Sequence, residues 1–257
     1  MIRPSPDVSL LEQVRSRKWF YEFELPDGTR TECYVPPGVE GVHTTRLAML
    51  EEALERRFGK DLSGLTAVDL ACHEGWFAFH LARRGATPVL GLDVRPAHVS
   101  DATLMARAMG IGTFSARVLD IENASPGEIG THDVTLMLGL LYHLENPVRA
   151  LRLARAVTRK ALYIETQVVP HMSGVVDWGS YVFQRRMVGV FGIVDEIGET
   201  HAPEAGTGGI CLAPSTESLE WMLKKVGFGS VERLTPPPGG YEQHVAQKRV
   251  MFAAYVD

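Results

Sequence analysis

Residues 66–86 read TAVDLACHEGWFAFHLARRGA, and this stretch decides the fold. A short apolar run ends in an acid, a tight loop follows, and an amphipathic helix pattern begins directly after it. A strand, a loop and a helix in this order are typical of the first unit of an open, doubly wound α/β sheet. Ligands of such sheets bind beyond the carboxyl ends of the strands. The sequence therefore predicts that this loop holds a cofactor.

The loop lacks two of the glycines that dinucleotide-binding loops carry in the pattern G-x-G-x-x-G. Ala71 and His73 take the first two places, only Gly75 remains, and Glu74 adds a negative charge. A pyrophosphate needs a close approach to the backbone and to the helix N-terminus, and a carboxylate repels it. We therefore predict that the loop is a poor pyrophosphate site, so a nicotinamide oxidoreductase is the least favoured class.

Strand and helix patterns alternate through most of the remaining chain, which predicts a parallel sheet with crossover helices. The last two strand patterns, GSVERLT and RVMFAAYVD, have no helix pattern between them. They predict a closing antiparallel pair, whereas a dinucleotide-binding half-domain would continue in βαβ units. The predicted fold is α/β, a doubly wound, seven-stranded, mostly parallel sheet.

Two segments are predicted to lie outside this alternation. Residues 1–44 hold a helix and a β-hairpin around LPDGTR, and the helix Leu47–Phe58 then opens a domain at 45–257. The segment of about 168–214 is rich in Gly, Pro, His and aromatic residues and lacks clear periodicity. Because long irregular connections are usually functional, it is predicted to be a substrate lid inserted after the fifth strand. A dimerisation or packing insert is the alternative.

Composition narrows the classes of function. The 257 residues carry a formal net charge of −5, so no overall positive field favours a nucleic-acid partner. The three cysteines have no zinc spacing, which predicts free thiols in a reducing compartment and no metal site. No run approaches the roughly 20 apolar residues of a membrane span, and no signal peptide is evident. We expect a cytoplasmic protein without a membrane partner.

Acids close three successive strand patterns at Asp69, Asp93 and Asp120. Asp69 is predicted to act on an ammonium group, directly or through water, and Asp93, 24 positions later, on ribose hydroxyls. Asp120 is predicted to accept an adenine amino group while Ile121 packs against the ring. This set suits a cofactor with a sulfonium and an amino-acid tail. The predicted cofactor-binding residues are Asp69, Ala71, His73, Gly75, Asp93, Asp120, Ile121 and Leu138.

Four blocks in order resemble the class I S-adenosylmethionine-dependent methyltransferases: VDLACHEGWFAFHLARRGA, GLDVRP, DVTLMLGLLYHLENP and PSTESLEWMLKKVGF. The resemblance runs from about residue 45 to 257. The last two blocks are similar to the subgroup of tRNA wobble-uridine (carboxy)methyltransferases and related small-molecule enzymes. The resemblance implies a Rossmann-like methyltransferase fold and S-adenosylmethionine as the cofactor. The missing glycines at positions 71 and 73 depart from the family pattern.

Three residues near the ends of the fourth and fifth strands are the candidates for catalysis. Methyl transfer is an in-line substitution, and a hydroxyl acceptor often also needs a general base. His143 is predicted to face the transferred methyl, and Tyr142 to position the substrate or line the cofactor. Glu165 is predicted to bind an amine or to act as a base. The alternatives are that His143 only contacts adenosine and that Glu165 is a structural acid.

The predicted function is methyl transfer to an oxygen or nitrogen of a small-molecule acceptor. A tRNA-modifying (carboxy)methyltransferase is the second candidate, since the resemblance favours it and the negative net charge disfavours it. A non-catalytic S-adenosylmethionine-binding protein, with activity lost through the altered loop, is the candidate from another class. A homodimer is a possible assembly.

Overall fold

The computed structural model describes residues 8–176, 185–195 and 209–257. The helices are α1 (Val8–Arg15), α2 (Gly41–Phe58), α3 (Trp76–Arg83), α4 (Pro96–Ala108), α5 (Pro126–Ile129), α6 (Pro147–Val157), α7 (Thr216–Lys225) and α8 (Glu242–Val245). The strands are β1 (Ala67–Leu70), β2 (Val89–Asp93), β3 (Phe114–Val118), β4 (His132–Leu138), β5 (Thr158–Gln167), β6 (Gly174–Val176), β7 (Arg185–Met187), β8 (Phe191–Asp195), β9 (Ile210–Pro214), β10 (Ser230–Arg233) and β11 (Arg249–Tyr255).

The central sheet has seven strands in the order β10-β11-β5-β4-β1-β2-β3. All neighbouring pairs from β5 to β3 are parallel, and β11 is antiparallel to both β5 and β10. The chain builds outward from β1 to β3, then returns to β4 on the other side of β1. The topological switch point therefore lies between β1 and β4. The predicted seven-stranded, mostly parallel fold is confirmed.

Helices cover both faces of the sheet. Strands β1 and β4 are therefore buried along their whole length. On one face α2, α3 and α4 contribute Leu50, Phe79 and Met105 to the core. On the other face α6 and α7 contribute Leu151 and Leu219. Among the described residues, no helix has both the length and the apolar character needed to cross a membrane.

The N-terminal segment is part of this core. The side chains of Trp19 and Phe23 are buried in the same cluster as α2 and α3. The turn at the predicted hairpin closes through the N–H of Leu25, which donates to the carbonyl of Thr29, but its arms pair only at isolated bridges. Helix α2 begins at Gly41, six positions before the predicted start. The predicted boundary between residues 44 and 45 is therefore wrong, because it falls inside a helix.

The predicted lid contains regular structure in its described parts. Strands β6 and β7 form one antiparallel pair, and β8 and β9 form another. The N–H of Leu212 in β9 donates to the carbonyl of Leu144, which joins the second pair to the segment after β4. The prediction of an irregular segment is thus wrong for these strands. The remaining parts of the predicted lid, 177–184 and 196–208, lie outside the described residues.

Candidate functional site

A cavity of about 680 Å³ opens at the carboxyl ends of the central strands. Its walls come from the loop after β1, the ends of β2 and β4, the residues after β3, the start of α2 and the N-terminal segment. This volume suits a small molecule or cofactor. The predicted residues that line it are Ala71, His73, Asp93, Asp120, Ile121, Leu138, Tyr142 and His143. Asp69, Gly75 and Glu165 are not among its lining residues.

The loop after β1 keeps the backbone shape of a glycine-rich loop without two of its glycines. Ala71 has φ +80°, His73 has φ +50° and Gly75 has φ +83°. A left-handed conformation costs a residue with a side chain roughly 1–2 kcal/mol. The loop therefore holds Ala71 and His73 in a strained conformation against the cavity, which is typical of functional loops.

Gly75 serves the turn and the packing of α3. A Cβ at this position would lie 2.7 Å from Cζ of Phe79. Gly75 does not line the cavity, and its predicted role in letting a cofactor approach the backbone stays a prediction.

The ring of His73 forms part of an aromatic column along the cavity wall. It stacks on the ring of His98 at 3.7 Å between centroids and on the ring of Phe20 at 4.7 Å. Phe20 comes from the N-terminal segment and His98 from α4. The side chain of His73, which stands in place of a glycine, thus contacts two segments that are distant along the chain.

Asp93 is held as an ionised acceptor at the end of β2. Its carboxylate accepts hydrogen bonds from the N–H groups of His73 and Arg95, at 3.0 and 2.9 Å. Its Oδ1 lies 3.2 Å from Nδ1 of His98. Burial alone would raise the pKa of Asp93, but these hydrogen bonds outweigh burial and lower it. A carboxylate has about four acceptor positions, so Asp93 can still accept from a ligand.

Asp69 lies below the cavity rather than in its wall. Its exposed fraction is 2%. Burial, followed by the negative charge of Asp93, raises the pKa of Asp69 to about 8. At neutral pH the carboxyl is therefore largely protonated and offers little negative charge to an ammonium group. The predicted action of Asp69 on an ammonium group, directly or through water, stays a prediction.

Asp120, Ile121 and Leu138 line the end of the cavity nearest β3 and β4. The carboxylate of Asp120 accepts from the N–H of Glu122 at 2.9 Å and from Nδ2 of Asn123 at 2.6 Å. These bonds fix the loop after β3, with Ile121 buried beside it. Their assignment to adenine stays a prediction.

His143 and Tyr142 lie in a single 3₁₀ turn, Leu141–His143, directly after β4. Both side chains line the cavity, and their rings are 4.0 Å apart between centroids. The hydroxyl of Tyr142 accepts from a guanidinium N–H of Arg249 at 3.2 Å. The turn thus brings an imidazole and a fixed phenol to the β1–β4 switch point.

Glu165 is the centre of a buried charged cluster. Its side chain is fully buried, and Nε of Arg46 lies 3.0 Å from Oε2. Oε1 lies 3.2 Å from a terminal nitrogen of Arg249 and 3.1 Å from Nε2 of His244. Burial alone would raise the pKa of Glu165, but the charges of Arg46 and Arg249 outweigh burial and lower it. The prediction that Glu165 is catalytic is wrong, because the carboxylate does not line the cavity and is a weak base.

The two arginines of this cluster do line the cavity, although Glu165 does not. Two guanidinium groups against one carboxylate leave an excess positive charge in the wall. Nε of Arg249 also donates to Oε1 of Gln243 at 2.8 Å, which fixes its orientation. This end of the cavity favours a carboxylate of a bound ligand, because guanidinium groups bind carboxylates well.

Sequence reasoning missed Arg46, Arg249 and His43, all of which line the cavity. A signal was present for two of them. His43 and Arg46 lie three positions apart, on the face of α2 that buries Met49 and Leu50 further along. Polar residues on an apolar helix face indicate a function, but the predicted helix began too late to include them.

Glu74 ties the N-terminal segment to the loop. It is 4% exposed, and its carboxylate accepts from the N–H groups of Phe20 and Tyr21 at 2.8 and 3.1 Å. The residue predicted only to repel a pyrophosphate therefore also holds one wall of the cavity in place.

A family model described as a methyltransferase domain matches residues 67–161, from β1 into β5. The predicted resemblance to the methyltransferases is confirmed over this segment. The match includes the loop after β1, the ends of β2 and β4, and the turn that carries His143. The match supports S-adenosylmethionine as the predicted cofactor.

Two relatives show how broad the similarity is. The tRNA U34 carboxymethyltransferase of Desulfotalea psychrophila is 23% identical over 199 residues, which cover 77% of this chain and 55% of that protein. The ubiquinone biosynthesis O-methyltransferase of Acinetobacter baylyi is 26% identical over 98 residues, covering 38% of this chain and 41% of that protein. The matched part is thus about half the length of these relatives.

Solved structures share the fold of the methyltransferase domain. The N-terminal domain of EvdMO1, crystallised in the presence of SAH and D-fucose, superposes with a TM-score of 0.65 at 23% identity, over 93% of this chain and 91% of that one. Magnesium protoporphyrin IX methyltransferase from Synechocystis PCC 6803 with bound SAH gives a TM-score of 0.57 at 15% identity, over 87% and 88%. At these identities the likeness concerns the fold.

The residues of the cavity fit S-adenosylmethionine. Ionised Asp93 suits a pair of ribose hydroxyls, and the side chain of Ile121 suits the face of adenine. The excess charge of Arg46 and Arg249 suits the carboxylate of the methionine tail. All of these side chains line one continuous cavity.

Proposed function

We propose that the protein transfers the methyl group of S-adenosylmethionine to an oxygen or nitrogen of a small molecule. One observation carries this proposal. A single cavity is lined by Asp93 and Asp120, by His143 at the switch point, and by Arg46 and Arg249, which form the arginine-lined wall. The bound cofactor supplies an electrophilic methyl group on its sulfonium. The chain's own residues bind it, align the acceptor and accept the proton.

His143 is the proposed proton acceptor. It is half-buried at the switch point, on a turn that begins directly after the buried strand β4. Tyr142, held by Arg249, is proposed to fix the orientation of the acceptor beside it. A general base in this position contributes typically 100-fold to 10,000-fold to proton transfer.

A tRNA-modifying (carboxy)methyltransferase is the second candidate, and the similarity to the tRNA U34 carboxymethyltransferase favours it. The arginine-lined wall would also accept the additional carboxylate of a carboxylated cofactor. Three basic residues of α6 and β5 argue against RNA, because each is paired within the chain. Arg155 donates to the carbonyl of Gly227, and Arg159 and Lys160 pair with Asp133. Charges engaged within the chain are less available to phosphates.

Calorimetry tests the proposed cofactor. S-Adenosylhomocysteine is expected to bind far more tightly than NAD to the same sample, because the loop after β1 offers no cradle for a pyrophosphate. NAD binding as tight as that of S-adenosylhomocysteine would contradict the methyltransferase proposal.

Labelled cofactor tests the reaction and its acceptor class. We expect S-adenosylmethionine with a deuterated methyl group to label a small-molecule fraction of a cell extract, detected by mass spectrometry. Label in tRNA would favour the second candidate. Cofactor binding without label in either fraction would favour the non-catalytic alternative.

Asp93→Ala is expected to weaken S-adenosylhomocysteine binding by about 10-fold to 100-fold, since a charge-assisted hydrogen bond contributes roughly 1.5–3 kcal/mol. Calorimetry measures the change, and circular dichroism checks the fold. Asp61→Ala, which removes an exposed acid outside the cavity, is the matched control. Equal affinities of the parent and Asp93→Ala would remove Asp93 from the cofactor site.

We also propose that residues 168–214 act as a substrate lid, because Leu212 is hydrogen-bonded to the backbone next to the His143 turn. Cys33 and Cys72 are free thiols, which supports the proposed cytoplasmic location. A homodimer stays a prediction.

A further inference from the structure

His43 is a buried imidazole in the cavity wall that the proposed reaction leaves without a role. It lies in the first turn of α2, its exposed fraction is 4%, and it lines the cavity. Neither of its ring nitrogens has a hydrogen-bond partner among the described residues. Its ring is packed edge-on against Phe20 at 4.8 Å and Tyr21 at 4.5 Å.

An unpartnered buried polar group is unfavourable, and native proteins satisfy nearly all such groups. Burial, followed by the charge of Arg46, lowers the pKa of His43 to about 2. The ring is therefore neutral at neutral pH, with one N–H donor and one acceptor nitrogen. Such a ring is a weak base, but it can bind a group that both donates and accepts a hydrogen bond. A hydroxyl is such a group.

The wall around His43 is mostly apolar and aromatic. Besides Phe20, the lining residues there are Tyr34, Pro36, Val39 and Val42. Tyr34 and Val39 are 40% and 38% exposed, so this wall continues from the buried imidazole to the opening of the cavity. A ring with an apolar face would bury its surface here.

The charges nearby select against a cationic acceptor. Arg46 and Arg249 both raise the positive potential at His43, as their effect in lowering its pKa indicates. A protonated amine would be repelled in this position, whereas a neutral hydroxyl would not.

We propose that His43 binds the hydroxyl group of the methyl acceptor, and that the acceptor is a hydroxylated small molecule with an apolar or aromatic ring. This inference rests on the proposed function and narrows its oxygen-or-nitrogen acceptor to oxygen. His43 holds the hydroxyl in place, while His143 remains the proposed proton acceptor.

Phenol and toluene are matched probes, because they differ by one hydroxyl group. In the presence of saturating S-adenosylhomocysteine, the parent is expected to bind phenol about 10-fold more tightly than toluene, which corresponds to one hydrogen bond. H43F should reduce this preference to about twofold or less. H43Q, which keeps a donor and an acceptor, should retain it. Binding is measured by ligand-observed NMR titration.

His80→Phe is the matched control, because it exchanges the same rings outside the cavity lining. His80 packs against Trp76 at 4.7 Å between centroids and lies 3.6 Å from a carboxylate oxygen of Glu51. The phenol preference should be unchanged in this variant, and the affinity for S-adenosylhomocysteine should be unchanged in all three variants.

Thermal unfolding separates a binding role from a structural one. Because H43F removes two unpartnered polar atoms, its Tm is expected to rise by about 2–4 °C. A phenol preference that persists in H43F, or a Tm that falls in both H43F and H43Q while the preference is unchanged, would overturn the inference. A tenfold loss of S-adenosylhomocysteine affinity in H43F would also overturn it, by assigning His43 to the cofactor. Failure of the parent to bind S-adenosylhomocysteine would instead contradict the proposed function itself.

Discussion

Glu165→Ala is expected to lower the free energy of unfolding by about 3–5 kcal/mol. The substitution leaves Arg46 and Arg249, which are 6% and 9% exposed at their side chains, without their buried carboxylate. Breaking a buried ion pair from one side is strongly destabilising because the remaining charge is uncompensated. Since a domain is stable by only about 5–15 kcal/mol, this loss should be visible in a urea titration as a large fall in the midpoint.

Glu232→Ala is the matched control for this prediction. Glu232 pairs with Arg56 at 2.7 Å, but both side chains are more than 40% exposed. Exposed pairs contribute about 0–1 kcal/mol, so this variant should unfold close to the parent. Equal losses in the two variants would contradict the assignment of Glu165 as the anion that holds the arginine-lined wall.

The contribution of Glu165 to the free energy of unfolding should also depend on pH, in a defined direction. Its pKa in the folded protein is lowered below the reference value of 4.5 by the charges of Arg46 and Arg249, against the effect of burial. A lowered folded pKa stabilises the protein above the unfolded pKa, and the effect is lost as the pH falls. The difference in stability between the parent and Glu165→Ala should therefore be full above about pH 4.5 and should narrow below it.

His143→Ala is expected to lower turnover by roughly 100-fold or more while leaving S-adenosylhomocysteine affinity nearly unchanged. The reason is its position on the turn after β4, at the switch point between the two halves of the cavity. Turnover is measured as S-adenosylhomocysteine released with saturating cofactor and an acceptor found by the deuterated-methyl experiment. In the parent, turnover should rise as the pH rises, because a general base must be unprotonated to accept the proton.

His132→Ala is the control for this substitution, since His132 lies at the opposite end of the same strand and does not line the cavity. Its turnover with saturating cofactor should stay close to that of the parent. A flat pH profile together with unimpaired turnover in His143→Ala would exclude His143 as the base. Weakened cofactor binding with normal saturated turnover would instead support the alternative that His143 packs against adenosine.

The cavity residues divide between those that local patterns predicted and those that only long-range contacts created. Asp93 ends β2, whereas Asp120 and His143 lie in the segments that follow β3 and β4. Parallel strands bring their carboxyl ends to one edge of the sheet. The arrival of these residues in one cavity therefore follows from the order of strands and helices. Asp69 also closes a strand, but its burial beneath the loop could not be predicted from its position along the chain.

The charged cluster around Glu165 shows why the other features of the site could not be predicted from the sequence. Glu165 contacts His244 and Arg249, which lie 79 and 84 positions away along the chain. A carboxylate at a strand end has the same local pattern whether it faces a ligand or is surrounded by arginines. Its ionic partners, and therefore its chemistry, depend on how α2 and β11 pack on β5.

The sequence by itself determined the class of fold, because periodic burial of apolar side chains and the length of the connections restrict a doubly wound sheet to few topologies. It also predicted that the loop after β1 is a poor pyrophosphate site, because that property depends on residue types within five positions, from Ala71 to Gly75. The tertiary structure decided which polar side chains face the cavity. His43 and Arg46 acquire their roles only where α2 lies across the ends of the strands. Side-chain burial, hydrogen bonding and pKa are properties of contacts between distant segments, and no local pattern contains them.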